Sequence, residues 1–191
     1  MTLDASPVIR QDASGHDHKA FRLRRGGTLS MKDSIRPGEI VAPSDPASMA
    51  GAAKLVFIGR ARTPWRDRDD CPKNVREARE RGGEARIEID AAWRLGLKDL
   101  GPGDSLVVLT WFDRARRDLI VQAPRHRGGA TGVFSLRSPV RPNPIGMHVV
   151  RLLGCDAEKG VLEVDALDCL DDTPVLDIKP WLDSVDAPPD R

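Results

Sequence analysis

Residues 137–146 read RSPVRPNPIG, a string whose residue types and spacing suit the capture of a ligand. Pro139, Pro142 and Pro144 each fix φ near about −65° and press the residue before them toward extended geometry. The product is a stiff ribbon with few free backbone donors, and it holds side chains in place at little ordering cost. Arg137 and Arg141 present planar forks that match a carboxylate or a phosphate. Asn143, locked between prolines, offers an amide that both donates and accepts, and Gly146 lets a ligand or another chain approach the backbone. A rigid surface connector is the other use of such a ribbon.

Two more stretches carry groups able to do chemistry. Residues 125–129, RHRGG, place Arg125 and Arg127 ahead of flexible glycines, an arrangement fit for phosphate contacts or for a solvated hairpin loop. Residues 168–174, DCLDDTP, put Asp168, Asp171 and Asp172 within five positions. Carboxylates there can hold ribose hydroxyls, an ammonium or a sulfonium, and can accept a proton, although Asx residues before Thr-Pro also simply cap a turn. Familiar cofactor and nucleophile signatures are missing. The chain has no GxGxxG, no GxxxxGK[ST] and no GxSxG, and its histidines show no partner pattern for a triad. His16 and His18 are two residues apart in a stretch without helix or strand period, which is a poor basis for metal binding, and no metal is expected.

The elements that must position these groups read as short strands. Residues 84–90, EARIEID, alternate apolar and charged side chains, the pattern of a half-buried strand. Residues 105–112, SLVVLTWF, predict a strand buried on both faces after the turn at 101–104. Further strand-like runs lie at 54–59, 119–123, 132–136, 147–153, 161–167 and 175–178. Helix is sparse, with a short charged segment at 74–81 and a turn or two at 91–100. The expected fold is mostly β, a small antiparallel barrel or sandwich. Residues 1–52 are rich in Ser, Asp, Pro, Gly and Ala without a sustained period, so they read as a flexible N-terminal arm ahead of a domain at 53–189.

A chain of 191 residues is one domain with a tail. Its 30 basic and 29 acidic residues nearly cancel, which argues against a protein that coats polyanions indiscriminately. The cancellation is regional. Residues 114–151 contain eight Arg and one acid, Asp118, for +7, whereas residues 152–191 contain eleven acids and three bases, for −8. Cys71, Cys155 and Cys169 are odd in number and widely spaced, as expected of reduced thiols in a cytoplasmic protein. No apolar run approaches the ~20 residues that span a bilayer, so no membrane partner is expected.

Residues 132–146, GVFSLRSPVRPNPIG, and 167–182, LDCLDDTPVLDIKPWL, together resemble the tRNA-methyltransferase O family of TsaA-like, S-adenosylmethionine-dependent enzymes. The stretch 58–74, with IGxxxTPW followed by CPKN, adds to the likeness, which spans residues 54–188. The resemblance implies a TsaA-like β-barrel methyltransferase, homodimeric, that holds S-adenosyl-L-methionine and methylates N6 of threonylcarbamoyl-adenosine beside the anticodon of tRNA. By position it implies cofactor contacts at Pro72, Lys73, Asn74, Asp113, Arg114, Arg137, Met147, Asp165, Ala166, Leu167 and Asp168. Asp168 and Asp171 become candidates to accept the N6 proton, with Asn143 as a neutral alternative, and Arg125, Arg127 and Arg141 become candidates to hold RNA phosphates. Two departures stand out: Asp113-Arg114 replaces a common His-Gln, and Asp172 stands where Gly is usual in the DGTP turn. A barrel of this kind acting on another substrate, or binding the cofactor without catalysis, are the alternative readings.

Overall fold

The computed structural model describes residues 35–46, 54–124 and 128–188. The chain divides into two units, Met1–Ser34 and Ile35–Arg191, and every described residue lies in the second. Its elements are β1 (Ile40–Val41), β2 (Gly59–Arg62), α1 (Val75–Arg81), β3 (Arg86–Ile89), β4 (Ser105–Trp111), β5 (Leu119–Gln122), β6 (Thr131–Gly132), β7 (Ile145–Asp156), β8 (Val161–Val164), β9 (Pro174–Pro180) and α2 (Asp183–Asp186). Turns of 3₁₀ helix occupy Ala91–Leu97 and Val133–Ser135. Six strands close into a barrel in the order β2-β3-β8-β7-β4-β9, with every neighbour antiparallel, as the strand pattern led one to expect. β1, β5 and β6 make a separate three-stranded sheet.

Period-two alternation decides what the barrel encloses. Ile87 and Ile89 of β3, Leu162 and Val164 of β8, Val150 and Leu152 of β7, and Leu106 and Val108 of β4 form one buried cluster with Ala61 and Val175. Each such side chain contributes roughly 1.5–3 kcal/mol by leaving water. The outward positions of β2 and β3 carry charge instead. There the Arg62 Nε donates to Glu88 across the pair at 2.8 Å. At partial exposure that pair is worth no more than about 1 kcal/mol.

Four expectations need correction. Residues 54–59 do not form a strand over their length: β2 begins only at Gly59, where the chain first lies between β3 and β9, and Leu55 and Val56 remain exposed. β4 is buried on one face, not both; Leu106, Val108 and Thr110 point into the barrel while Ser105, Val107, Leu109 and Trp111 stay partly exposed. Residues 132–136 leave the sheet after Gly132 and wind into the 3₁₀ turn Val133–Ser135. Within the expected arm, Ile40–Val41 pairs with β5, and the buried Glu39 side chain accepts from the Ala123 backbone amide at 3.2 Å.

Candidate functional site

The inward row of β4 changes character at its C-terminal end: after Leu106 and Val108 comes Thr110. The partner row on β7 runs Leu152, Val150, His148, Gly146, and Thr110 pairs with Gly146. A Cβ on Gly146 would overlap the Thr110 hydroxyl and the Phe112 ring, so only glycine leaves room for these two side chains. Thr110 and His148 are 0% and 1% exposed, and a polar group so placed needs a partner. Thr110 Oγ1 lies 2.9 Å from His148 Nε2, and His148 Nδ1 lies 2.5 Å from Asp168 Oδ1. The carboxylate can only accept, so Nδ1 carries the proton toward it. Phe112 stands edge-on to the imidazole with ring centres 6.1 Å apart. The barrel core therefore ends in a hydrogen-bonded chain, Thr110–His148–Asp168.

Asp168 sits in the loop joining β8 to β9, and the backbone on both sides of it is fixed. Leu167 and Cys169 are buried in the core cluster. The Trp65 indole donates to the Leu167 carbonyl at 3.0 Å, and the Thr63 hydroxyl donates to the Cys169 carbonyl at 2.9 Å. With its side chain 20% exposed and Oδ1 taken by His148, Asp168 keeps Oδ2 without a hydrogen-bond partner among the described residues.

Asp168 lines a cleft of about 740 Å³, a size suited to a small-molecule ligand. Phe112, Phe134, Leu136, Ile145 and Met147 give it apolar walls, and Lys73, Arg76, Arg79, Arg137 and Arg141 surround it with positive charge. Asp168 is the one carboxylate among its lining residues. α1 delivers the first wall: Asn74 caps the helix, its Oδ1 accepting from the Glu77 amide at 2.9 Å, while Glu77 accepts from the Lys73 amide at 3.1 Å. The proline ribbon delivers the opposite wall, where Arg137 donates to the Met147 carbonyl at 3.0 Å and Arg141 to the carbonyls of Val133 and Leu136 at 2.8 and 2.7 Å.

Of the residues singled out from sequence, Lys73, Asn74, Arg137, Arg141, Met147 and Asp168 meet at this cleft. Pro72, Ala166 and Leu167 are buried and do not line it, with Leu167 serving the core. Asp165 accepts from the Arg151 amide at 2.8 Å and from Arg79 at 2.5 Å, so it ties α1 to β7. Asn143 is exposed and does not line the cleft; its carbonyl accepts from the Ile145 amide. Asp113 and Arg114 are exposed outside it, and Arg114 donates to the Asp171 carbonyl at 3.2 Å. Arg125 and Arg127 lie outside the described residues. Asp171 faces elsewhere. It accepts from the Thr63 amide at 3.1 Å and from Arg66, in a groove of about 480 Å³ shared with Arg62, Glu84, Arg86 and Glu88. Every charge of that groove has an opposite partner within it or beside it, so it offers no free group for chemistry.

His148 and Thr110 went unrecognised in the sequence, since a triad search looks for motif spacing. The signal was the strand alternation, which places both on the inward rows of neighbouring strands. Burial pushes the Cys71 thiol up to about 11, with the charge of Asp168 as the next cause, and burial raises the Cys169 thiol as well. Neither is a nucleophile at neutral pH.

A family model described as the tRNA-methyltransferase O N-terminal domain matches residues 60–187. A protein of Rhizobium radiobacter named probable S-adenosyl-L-methionine-binding protein VirR is 42% identical over 161 residues, covering 84% of this chain and 87% of that protein. The tRNA (adenine(37)-N6)-methyltransferase of Escherichia coli K12 is 32% identical over 139 residues, covering 70% of this chain and 59% of that protein. The crystal structure of TrmO from P. aeruginosa is similar at a TM-score of 0.58 and 30% identity, over 74% of this chain and 60% of that one.

Proposed function

The chain belongs to the tRNA-methyltransferase O family by its match over residues 60–187, and from this premise we propose that it binds S-adenosyl-L-methionine and methylates tRNA, at N6 of threonylcarbamoyl-adenosine beside the anticodon. The observation that carries the reading is a single carboxylate oxygen without a hydrogen-bond partner among the described residues, Asp168 Oδ2, in a cleft whose other charged lining residues are cations, two of them, Arg76 and Arg79, paired with Glu80 and Asp165. A cofactor with a cationic sulfonium and ammonium finds its counter-charge there, while Lys73, Asn74 and Arg137 suit its carboxylate and polar edges, and Phe112, Ile145 and Met147 suit a flat base. When bound, S-adenosyl-L-methionine supplies a methyl group activated as an electrophile. Asp168 would accept the N6 proton as the nitrogen lone pair bonds the methyl carbon and the carbon–sulfur bond gives its electron pair to sulfur, leaving a neutral thioether; this would offset the poor nucleophilicity of a nitrogen conjugated with its ring. Asp171, saturated by Thr63 and Arg66, is left with the turn. Arg141, with Arg125 and Arg127, serves RNA phosphates, and the protein acts as a cytoplasmic homodimer.

The name of the R. radiobacter relative supports a second reading, a protein that binds the cofactor without transferring its methyl group. Labelled methyl transfer to total tRNA, with mass spectrometry of the nucleosides, separates the two. Asp168→Asn should lower kcat about 100-fold and, because it removes the cofactor's counter-charge, should also weaken cofactor binding in calorimetry. Asp171→Asn should keep kcat and lower the melting temperature. Full rates in both variants, with normal cofactor binding, would remove the carboxylate from the mechanism.

A further inference from the structure

We propose that His148 is a positioning residue for Asp168, and that Thr110 sets the orientation of His148; this rests on the proposed methyl transfer, in which Asp168 accepts a proton. A carboxylate at a loop rotates about its own bonds, and either oxygen can turn toward solvent. Here three contacts remove that freedom. Trp65 and Thr63 hold the carbonyls on either side of Asp168, and His148 Nδ1 holds Oδ1 at 2.5 Å. Oδ2 is the oxygen left for the cleft.

His148 is itself pinned. It projects from β7 into the barrel with Thr110 2.9 Å from Nε2 and the Phe112 ring edge-on beside it. Nε2 accepts from the Thr110 hydroxyl when the imidazole is neutral and donates to it when the imidazole is protonated, so the chain is satisfied in both states. A buried polar pair that only closed the core would not need a cleft-facing carboxylate at its end. This one runs from the barrel interior to the single acid of the cleft.

The nitrogen that matters is Nδ1, and amide variants distinguish it. An Asn amide superposes on Nδ1 and keeps the donor to Asp168, whereas a Gln amide superposes on Nε2 and keeps only the contact with Thr110. In tRNA methylation, His148→Gln should lower kcat about tenfold or more, with KM and the cofactor Kd within about twofold. His148→Asn should stay within about threefold of the parent chain. Adding His148→Gln to Asp168→Asn should cost nothing further, because the two act as one unit. Equal losses in the Asn and Gln variants, or full kcat in His148→Gln, overturn the proposal.

A second measurement needs no turnover. In the full chain labelled with ¹⁵N-histidine, the resonance absent from His148→Asn identifies His148 among the four histidines. It should show a protonated Nδ1 with a far-downfield proton that moves upfield in Asp168→Asn. A proton on Nε2 alone, or no response to Asp168→Asn, overturns the positioning role even if the Gln variant does not fold. A chain that gives the expected spectrum yet transfers no methyl to tRNA keeps the His148–Asp168 relation and loses the proposed reaction.

Discussion

At the scale of single residues, the acidic motif at 168–174 turns out to hold three different carboxylates. Asp168 faces the cleft, Asp171 is saturated, and Asp172 bonds Arg62 at 2.8 Å from a backbone with φ of 66°. Glycine adopts that left-handed φ freely, and Asp tolerates it better than most residues. Sequence type made all three look alike, because charge is written in the residue and its partners are not. The same limit hid His148, whose role depends on two neighbours 38 and 20 positions away. Cys71 reports on the site independently of activity. With its thiol raised to about 11, by burial first and by Asp168 second, it carries roughly 100-fold less thiolate at pH 8 than a thiol at the ordinary value of 9.0. Alkylation of Cys71 at pH 8 should accordingly be slow and should quicken as pH rises toward 11. Asp168→Asn removes one cause of the shift, so it should speed labelling at fixed pH. A rate indifferent to Asp168→Asn would show that the carboxylate does not act on the thiol.

At the scale of elements, strand alternation was legible and strand ends were not. β3, β5 and β8 lie within the runs read from sequence, whereas β9 outruns its apolar stretch at 175–178 by Pro174 at one end and Lys179-Pro180 at the other. Residues 54–59 looked equally strand-like but lack partners over most of their length, and a strand exists only where a ladder is completed. Gly146 shows how an element builds the site. β7 and β4 approach there with no space for a side chain, which lets Thr110 and Phe112 pack against His148. Gly146→Ala should therefore destabilise the barrel by about 1–3 kcal/mol, the usual range for overpacking, and should also displace the Thr110 hydroxyl. Denaturant unfolding reads the first effect. The second appears as a lower kcat at temperatures where the variant is still folded, and a variant with unchanged stability would mean that the two strands move apart freely.

At the scale of the molecule, the regional charges behave differently from each other despite their near-equal size. In residues 152–191 five of the eleven acids are paired with a cation among the described residues: Asp156 with Lys159, Asp165 with Arg79, Asp171 with Arg66, Asp172 with Arg62 and Asp177 with Lys179. In residues 114–151, Arg116 pairs with Asp118, but Arg114, Arg117, Arg137, Arg141 and Arg151 donate to neutral carbonyls. A carbonyl orients a guanidinium without cancelling its charge. The acids thus hold the barrel together, and the arginines keep a net field that an anionic partner feels, on a chain whose total is only +1. If three to five of these arginines meet phosphates, log affinity for tRNA should fall against log salt with a slope of about −2 to −4. Arg141→Ala should make that slope shallower by slightly under one unit. A slope near zero would assign the arginines to the protein's own carbonyls alone, and would leave the cleft without an electrostatic route to RNA.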